Sequence, residues 1–403
     1  VRKIASSIVL AVYACCSPMA YAQYEPQIGV DVSVEGGVST NPFLYADGKT
    51  AASANIEIAP YVVVEDELGE TRINGNLRFT QYSKFYGNDV SARIEAATER
   101  RLDERNTVRV AASAQRLRSA IQNGLIFESG GGSQGPGPLL PPTVPIIDTT
   151  LAGTRARITS LSTSFGFSHI LNERSSLDAG IELNGTYIDE GAGFDYRSVS
   201  SHAGYRRQLT QRTTVTFDTQ LGFVDYLSRR TGDSMIVSPR VGIQQQLTNR
   251  LSVVADAGIS YVRTDVGGGD RSNLVSFAGS VGLCDRGPNR TLCLSGGRSA
   301  QPTALGGVST VTTASLNYNA QLSRIDRVSI SARYGRTNQD GAGLPVVRVT
   351  DFIGASATYA RDLNDRLAFT VTPGYSKIFD DTQRRSANYS LMVGLTMKFG
   401  KRR

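Results

Sequence analysis

The chain has 403 residues, a formal net charge of +7 and only 40% hydrophobic residues. Its mean hydropathy is −0.19, and beyond the first residues no apolar run approaches the ~20 residues that a membrane-spanning helix needs, which excludes a helical membrane protein. The basic excess is small for the length and is scattered over turns, loops and strand faces without forming a stripe, so nucleic acid is not an expected partner.

Taken from the amino terminus, Arg2 and Lys3 precede a short apolar stretch, Ile4 to Ala14, and Ala20-Tyr21-Ala22 stands before Gln23. This is the pattern of a cleaved secretory signal peptide over 1–22. A lipoprotein signal ending before Cys15 is the competing reading, and bulky Tyr13 opposes it. Cleavage after Ala22 leaves a mature chain, 23–403, that keeps Cys284 and Cys293 and loses Cys15 and Cys16; without Arg2 and Lys3 its charge is +5.

From there the chain alternates. Ile28, Val30, Val32 and Val34 share one face, while Gly29, Asp31, Ser33 and Glu35 share the other. The same period of two runs through Leu177–Asn184, Thr214–Phe223, Leu367–Ser376 and Tyr389–Phe399, as it does in strands with one apolar face. Short turns punctuate it: a looser one at Glu65, LDERNTV at Leu102, then turns at Leu171, Leu209, Leu247, Leu283, Leu322 and Leu363. The last six are spaced by 38, 38, 36, 39 and 41 residues, room for one strand up, a loop, one strand down and a tight turn. A propeller blade has a similar period but needs four short strands per repeat. Strands of about 9–13 residues, with short turns at one end and longer loops at the other, instead describe an all-β transmembrane antiparallel up-and-down barrel of about 18 strands, with 16 as the alternative. That places the protein in the cell outer membrane, its apolar residues against the lipid bilayer, the short turns in the periplasm and the long loops outside.

Several features sit on this frame. Tyr82, Tyr187, Tyr226, Tyr261, Tyr334 and Tyr375 fall near the long-loop ends of their strands, where an aromatic girdle is expected in a chain without Trp. The segment 124–154, containing SGGGSQGPGPLLPPTVP, reads as a long outside loop because Gly and Pro interrupt strand and helix alike. Its Leu139, Leu140, Val144, Ile146 and Ile147 would either fold into the lumen or meet a partner. Cys284 and Cys293 bracket the turn CDRGPNRTLC, and in an oxidising compartment they are expected to form a disulfide. On the polar faces stand Arg93, Glu95, Glu99 and Arg101 along one strand, with Arg72, Arg78, Arg109, Asp178, Glu182, Asp218, Arg240, Asp256, Arg333 and Lys398 elsewhere. These charges of both signs either pair into a network across the lumen or line a hydrated passage with no clear ion preference.

No catalytic chemistry is expected. The chain has two histidines: His202 falls on a polar face, and His169 on an apolar one beside the turn at Leu171. No Ser–His–acid set, clustered metal ligands or phosphate loop accompanies them, so neither an enzyme activity nor a cofactor is anticipated. Gly267-Gly268-Gly269-Asp270 reads as a loop tip.

The stretches EGGVSTNPF at Glu35, EIAPYVVVE at Glu57 and FTQYSKFYG at Phe79, together with the L-x-x-R turns, resemble the outer-membrane β-barrel porin family of proteobacteria over nearly the whole mature chain. The final strand also resembles the carboxy-terminal signal read by the barrel assembly machinery, with Gly394, Met397 and Phe399 at its glycine, hydrophobic and aromatic positions. Met392 departs from that pattern, as does the Gly400–Arg403 extension. Some members of the family serve exopolysaccharide (sphingan-type) synthesis and export. The resemblance therefore implies a channel or accessory component for exopolysaccharide secretion, with polysaccharide export components as partners. A general diffusion porin and a structural or adhesive surface barrel with no open pore are the alternatives.

Overall fold

The computed structural model describes residues 26–118, 156–189, 194–227, 232–265, 271–303, 306–338, 349–380 and 384–400. The expected leader at 1–22, the Gly/Pro-rich segment 124–154 and the tip at 267–270 lie outside them. The described residues form one closed antiparallel sheet of 18 strands and no helix. In chain order these are β1 (Gln27–Ser39), β2 (Ala51–Asp66), β3 (Gly69–Tyr82), β4 (Asn88–Arg101), β5 (Asn106–Leu117), β6 (Ile158–Asn172), β7 (Ser175–Ile188), β8 (Tyr196–Thr210) and β9 (Thr213–Tyr226). They continue as β10 (Ser234–Gln246), β11 (Leu251–Asp265), β12 (Arg271–Arg286), β13 (Arg290–Pro302), β14 (Val308–Gln321), β15 (Asp326–Asn338), β16 (Val349–Asn364), β17 (Leu367–Asp380) and β18 (Asn388–Gly400).

Each strand pairs with its neighbours in sequence, and β1 closes on β18 from Gly29↔Gly400 to Ser39↔Ser390. Closure removes the sheet edges that hydrocarbon cannot tolerate. Strands run from 12 residues in β5 to 16 in β2, β12 and β16, so the shortest fall within the expected 9–13 and the rest exceed it. With 3.3 Å of rise per residue and a tilt near 40°, about 10 residues already cross the apolar belt. The ladders therefore continue beyond it, a continuation that side-chain alternation marks only weakly in the sequence.

The two faces separate by parity. Val34, Ile94, Ile181, Phe217, Phe223, Val275, Phe277, Leu391 and Leu395 stand exposed on the outside, where only lipid could satisfy so many apolar side chains. A closed wall of this kind is an outer-membrane barrel.

The short turns are held by their own side chains. Asp66 Oδ1 accepts the Leu68 and Gly69 N–H groups at 2.9 and 3.0 Å, so the turn after Glu65 is tight, where the sequence pattern suggested a loose one. Asp103 does the same for Arg105 and Asn106, and Asn364 for Arg366 and Leu367. These are Asx-type turns, which explains why Asp and Asn recur at these places. In the turn 102–105, Asn106 and the backbone donors hold the Asp103 carboxyl below the ordinary carboxylate range. Cys284 and Cys293 are joined by a disulfide across opposed positions of β12 and β13.

The six strand-end tyrosines divide. Tyr261 is exposed on the outer face, and Tyr375 packs on outward Tyr389 with ring centroids 5.2 Å apart. Tyr187 and Tyr334 share the parity of exposed Leu183 and Ile330 on their strands. Tyr82 and Tyr226 are instead 7% and 4% exposed and lie on the inner face, so they do not belong to the girdle. Each has opposite parity to the lipid-facing residues of its own strand, Leu77 and Phe79 in β3 and Phe217 and Phe223 in β9.

Candidate functional site

The inner face carries the polar chemistry. On β1 to β3, the Arg78 guanidinium reaches Glu35 at 3.1 Å and Glu57 at 3.6 Å, and Asn76 donates to Glu57 at 2.6 Å. Gly394 makes this possible. It stands opposite Glu35, and a β-carbon there would come within 2.7 Å of Glu35 Cγ and 3.1 Å of the Val34 carbonyl. Elsewhere along the inner face Arg93 pairs with Glu95 at 2.8 Å, Arg109 with Glu99 at 2.9 Å and Lys398 with Asp362 at 2.9 Å. Arg72 pairs with Glu70.

A second charged sector spans β7 to β12. Arg206 lies 3.9 Å from Asp178, and Arg240 lies 3.5 Å from Asp256, which also accepts from Ser280. Asp218 sits opposite Arg240 in the ladder, and Glu182 accepts from Asn184 at 3.0 Å. Arg333 is 4% exposed in β15. Arg101 ends β4 at the short-turn rim. Opposite charges at this spacing cancel locally, so the wall offers hydrogen-bonding groups without a strong field of one sign.

Alongside the charges the inner face carries paired hydroxyls. Ser113 meets Ser162 at 2.7 Å, Ser238 meets Ser260 at 2.6 Å, Ser295 meets Ser315 at 2.6 Å, and Ser331 meets Ser356 at 2.9 Å. Thr358–Thr372 and Ser33–Thr396 extend the pattern to the closing seam. Ser238 and Ser260 are 2% and 0% exposed and serve each other, while the part-buried hydroxyls keep a further lone pair or proton for a passing solute.

At the long-loop end two segments lean inward. Spacing of about 4.8 Å and a tilt of about 40° make an 18-strand wall roughly 36 Å across, so strands four apart face each other over roughly 23 Å. Two contacts span that separation. Between β1 and β2, Phe43 is 2% exposed and packs with Tyr45, Tyr82 and Tyr86, while Arg118, just past β5, lies over its ring at 4.8 Å. Asn41 organises this loop: its Oδ1 accepts the Tyr45 N–H at 3.0 Å and its Nδ2 donates to the Tyr45 carbonyl at 2.9 Å. Asn388 anchors it to β18 through the Asn41 N–H at 2.9 Å. Burial pushes the Tyr86 phenol up, and the hydroxyl bonds both the N–H and the carbonyl of Lys49.

The second segment is the top of the β13–β14 hairpin. The Tyr226 hydroxyl, at the end of β9, accepts the Thr303 N–H at 3.2 Å and donates to the Gly307 carbonyl. Ala300 and Val308 from the hairpin pack with inward Val224, Ile236 and Val262. Gly306 and Gly307 turn the tip at φ 96° and 71°, conformations that only glycine adopts cheaply.

Sequence reading placed the charges on the polar parity and missed both inward segments. Asn41-Pro42-Phe43 was visible as a motif, yet nothing local says that a loop turns into a lumen. Of the histidines, His169 Nδ1 bonds Asn106 Oδ1 at 2.8 Å near the short turns, and His202 lies on the inner face against Gly180. Among the described residues no group of three or more His, Cys, Asp or Glu is placed to hold a metal.

No protein-family model and no curated protein matches the chain. Solved structures do. The FrpB iron transporter of Neisseria meningitidis (F3-3 variant) aligns at 9% identity and a TM-score of 0.43, over 88% of this chain and 62% of FrpB. OccK11 (OpdR) of Pseudomonas aeruginosa aligns at 11% and 0.45, over 94% of this chain and 96% of its own. OpdQ of the same organism aligns at 10% and 0.44, over 93% and 98%. The chain thus spans less than two thirds of FrpB and nearly all of the other two. No functional assignment comes with these likenesses.

Proposed function

We propose that the protein is an outer-membrane channel for hydrophilic solutes of low net charge, narrowed at its outer mouth. The observation that carries this is the inner face itself: acids and bases in pairs, with rows of hydroxyls alongside them. Such a wall can exchange hydrogen bonds with polyols and sugars without trapping ions of either sign. A purely structural barrel would gain more from a packed apolar interior, because isolated polar pairs add little stability.

The same hydroxyl-rich surface supports the finer reading, export of extracellular polysaccharide alongside export components of the envelope. A sugar polymer needs repeated weak contacts and no tight site, and rows of Ser and Thr around the wall supply them. The folded mature protein in planar bilayers is expected to conduct with little preference between potassium and chloride. Strong selectivity for one ion would contradict the paired-charge wall, and the absence of conductance would favour a closed structural barrel. Loss of the gene is expected to lower extracellular polymer while leaving small-solute uptake near normal; the reverse outcome identifies a general diffusion porin.

A further inference from the structure

The β12–β13 ladder starts only at Gly279↔Arg298 and ends at Arg286↔Thr291, eight rungs in all. β12 continues upward along β11 as far as Arg271, and β13 continues along β14 as far as Pro302, but above Gly279 the two part. Among the described residues, Leu274–Ala278 therefore belong to a ladder on the β11 side alone. The reason is the inward turn of the hairpin: Ser299–Thr303 leave the wall and reach toward Tyr226. Five residues at about 3.3 Å cover about 16 Å, and a tyrosine side chain supplies most of what remains of the lumen crossing.

We propose that the top of the β13–β14 hairpin is a strap with two seats: inward on Tyr226, where it narrows the mouth, and outward on the free edge of β12, where it completes the wall and opens the lumen. This deepens the channel reading and rests on it for its consequence, although the re-pairing stands on strand geometry alone. Three features fit the second seat. Continuing the register places Ser276 opposite Gln301 on the inner face, and the Ser276 hydroxyl, buried with no hydrogen-bond partner in the inward state, would gain one. Ala300 and Val308 have the parity of lipid-facing Leu294 and Leu316, so they suit the membrane outside as well as the apolar cluster inside. The Cys284–Cys293 disulfide fixes the lower rungs, so the strands can part above without unzipping below.

Holding the inward seat depends on the Tyr226 hydroxyl, which binds both sides of the tip. Losing one such hydrogen bond, worth about 1 kcal/mol net, shifts a two-state equilibrium about five-fold. The test is a Ser276→Cys/Gln301→Cys variant, folded in detergent, checked by heat-modifiable migration and oxidised, with the new bond mapped by peptide mass. The crosslink is expected to form in the folded barrel, and to form about thirty-fold faster when Tyr226→Phe is added, the factor of the two hydrogen bonds that the hydroxyl makes to Thr303 and Gly307. Failure to crosslink in either background overturns the outward seat, and equal rates overturn the role of Tyr226. Planar-bilayer recording of the crosslinked barrel then reads function separately: conductance is expected to exceed that of the reduced form. A crosslinked barrel that never conducts overturns the channel reading while leaving the re-pairing established.

Discussion

Single residues decide how charge is carried on the inner wall. The sequence offered Gly394 as part of an expected assembly signal; what the structure shows is the gap into which Glu35 lies. Gly394→Val would place methyls against Glu35 Cγ, the Val34 carbonyl and Thr370 Oγ1, and so would dislodge Glu35 from Arg78. A cost of about 1–3 kcal/mol is expected from overpacking, read as a lower urea midpoint for loss of heat-modifiable migration. Gly394→Ala should fall between the variant and the native protein, and equal midpoints for all three would refute this role. Parity alone identified Arg78 as inward, yet its partners on β1 and β2 depend on register, which no local pattern states. Tyr226 teaches the same lesson from the other side, since its parity marks it as inward while its place at a strand end suggests a girdle.

At the scale of elements, the turns were the most readable feature. Asp66, Asp103, Asn172 and Asn364 hold tight connections through their own side chains, which is why a recurring polar turn could be counted along the chain. The hairpin top was not readable: the sequence marks a turn at Gly306-Gly307, but nothing local says whether Ser299–Pro302 continues along β12 or turns toward Tyr226. The disulfide joins the pair of strands with the fewest rungs in the barrel, where covalent support matters most. Cys284→Ser/Cys293→Ser is expected to lower stability by about 2–3 kcal/mol, the amount a ten-residue closed loop removes from the unfolded chain. The urea midpoint of the reduced native protein should match that variant. A midpoint equal to the oxidised protein would show that β12 and β13 hold without help.

For the whole molecule, the barrel class and strand count followed from repeat length and alternation, because a closed up-and-down sheet needs little beyond those two rules. The lumen's narrowing did not follow, since it depends on loops that leave the wall. The expected assembly signal can be placed on the barrel, and its role is a matter for experiment. Met397 and Phe399 are exposed on the outer face of β18, and Gly394 on the same strand faces inward. Phe399→Asp places a charge on the lipid side, at a cost that falls from about 2–4 kcal/mol at midplane to about 0–1 near the interface. We expect surface level to drop by more than that small interfacial cost allows, because the terminal aromatic is lost to the assembly machinery as well. Normal levels with normal heat-modifiable migration would argue that the aromatic is dispensable.

The meeting of β1 with β18 has a consequence in polymer terms. Every other neighbouring pair is local along the chain, while Gly29 and Gly400 are partners at opposite ends of it. Tying the ends of a flexible segment of this length costs about 5 kcal/mol in loop entropy, and a single ladder, from Gly29 to Ser39, must recover it. Non-local pairing of this kind is the slow event in folding. Until it occurs, the remaining hairpins can exist only as a curved ribbon with two raw margins, and a ribbon with raw margins must be chaperoned until its first and last strands meet.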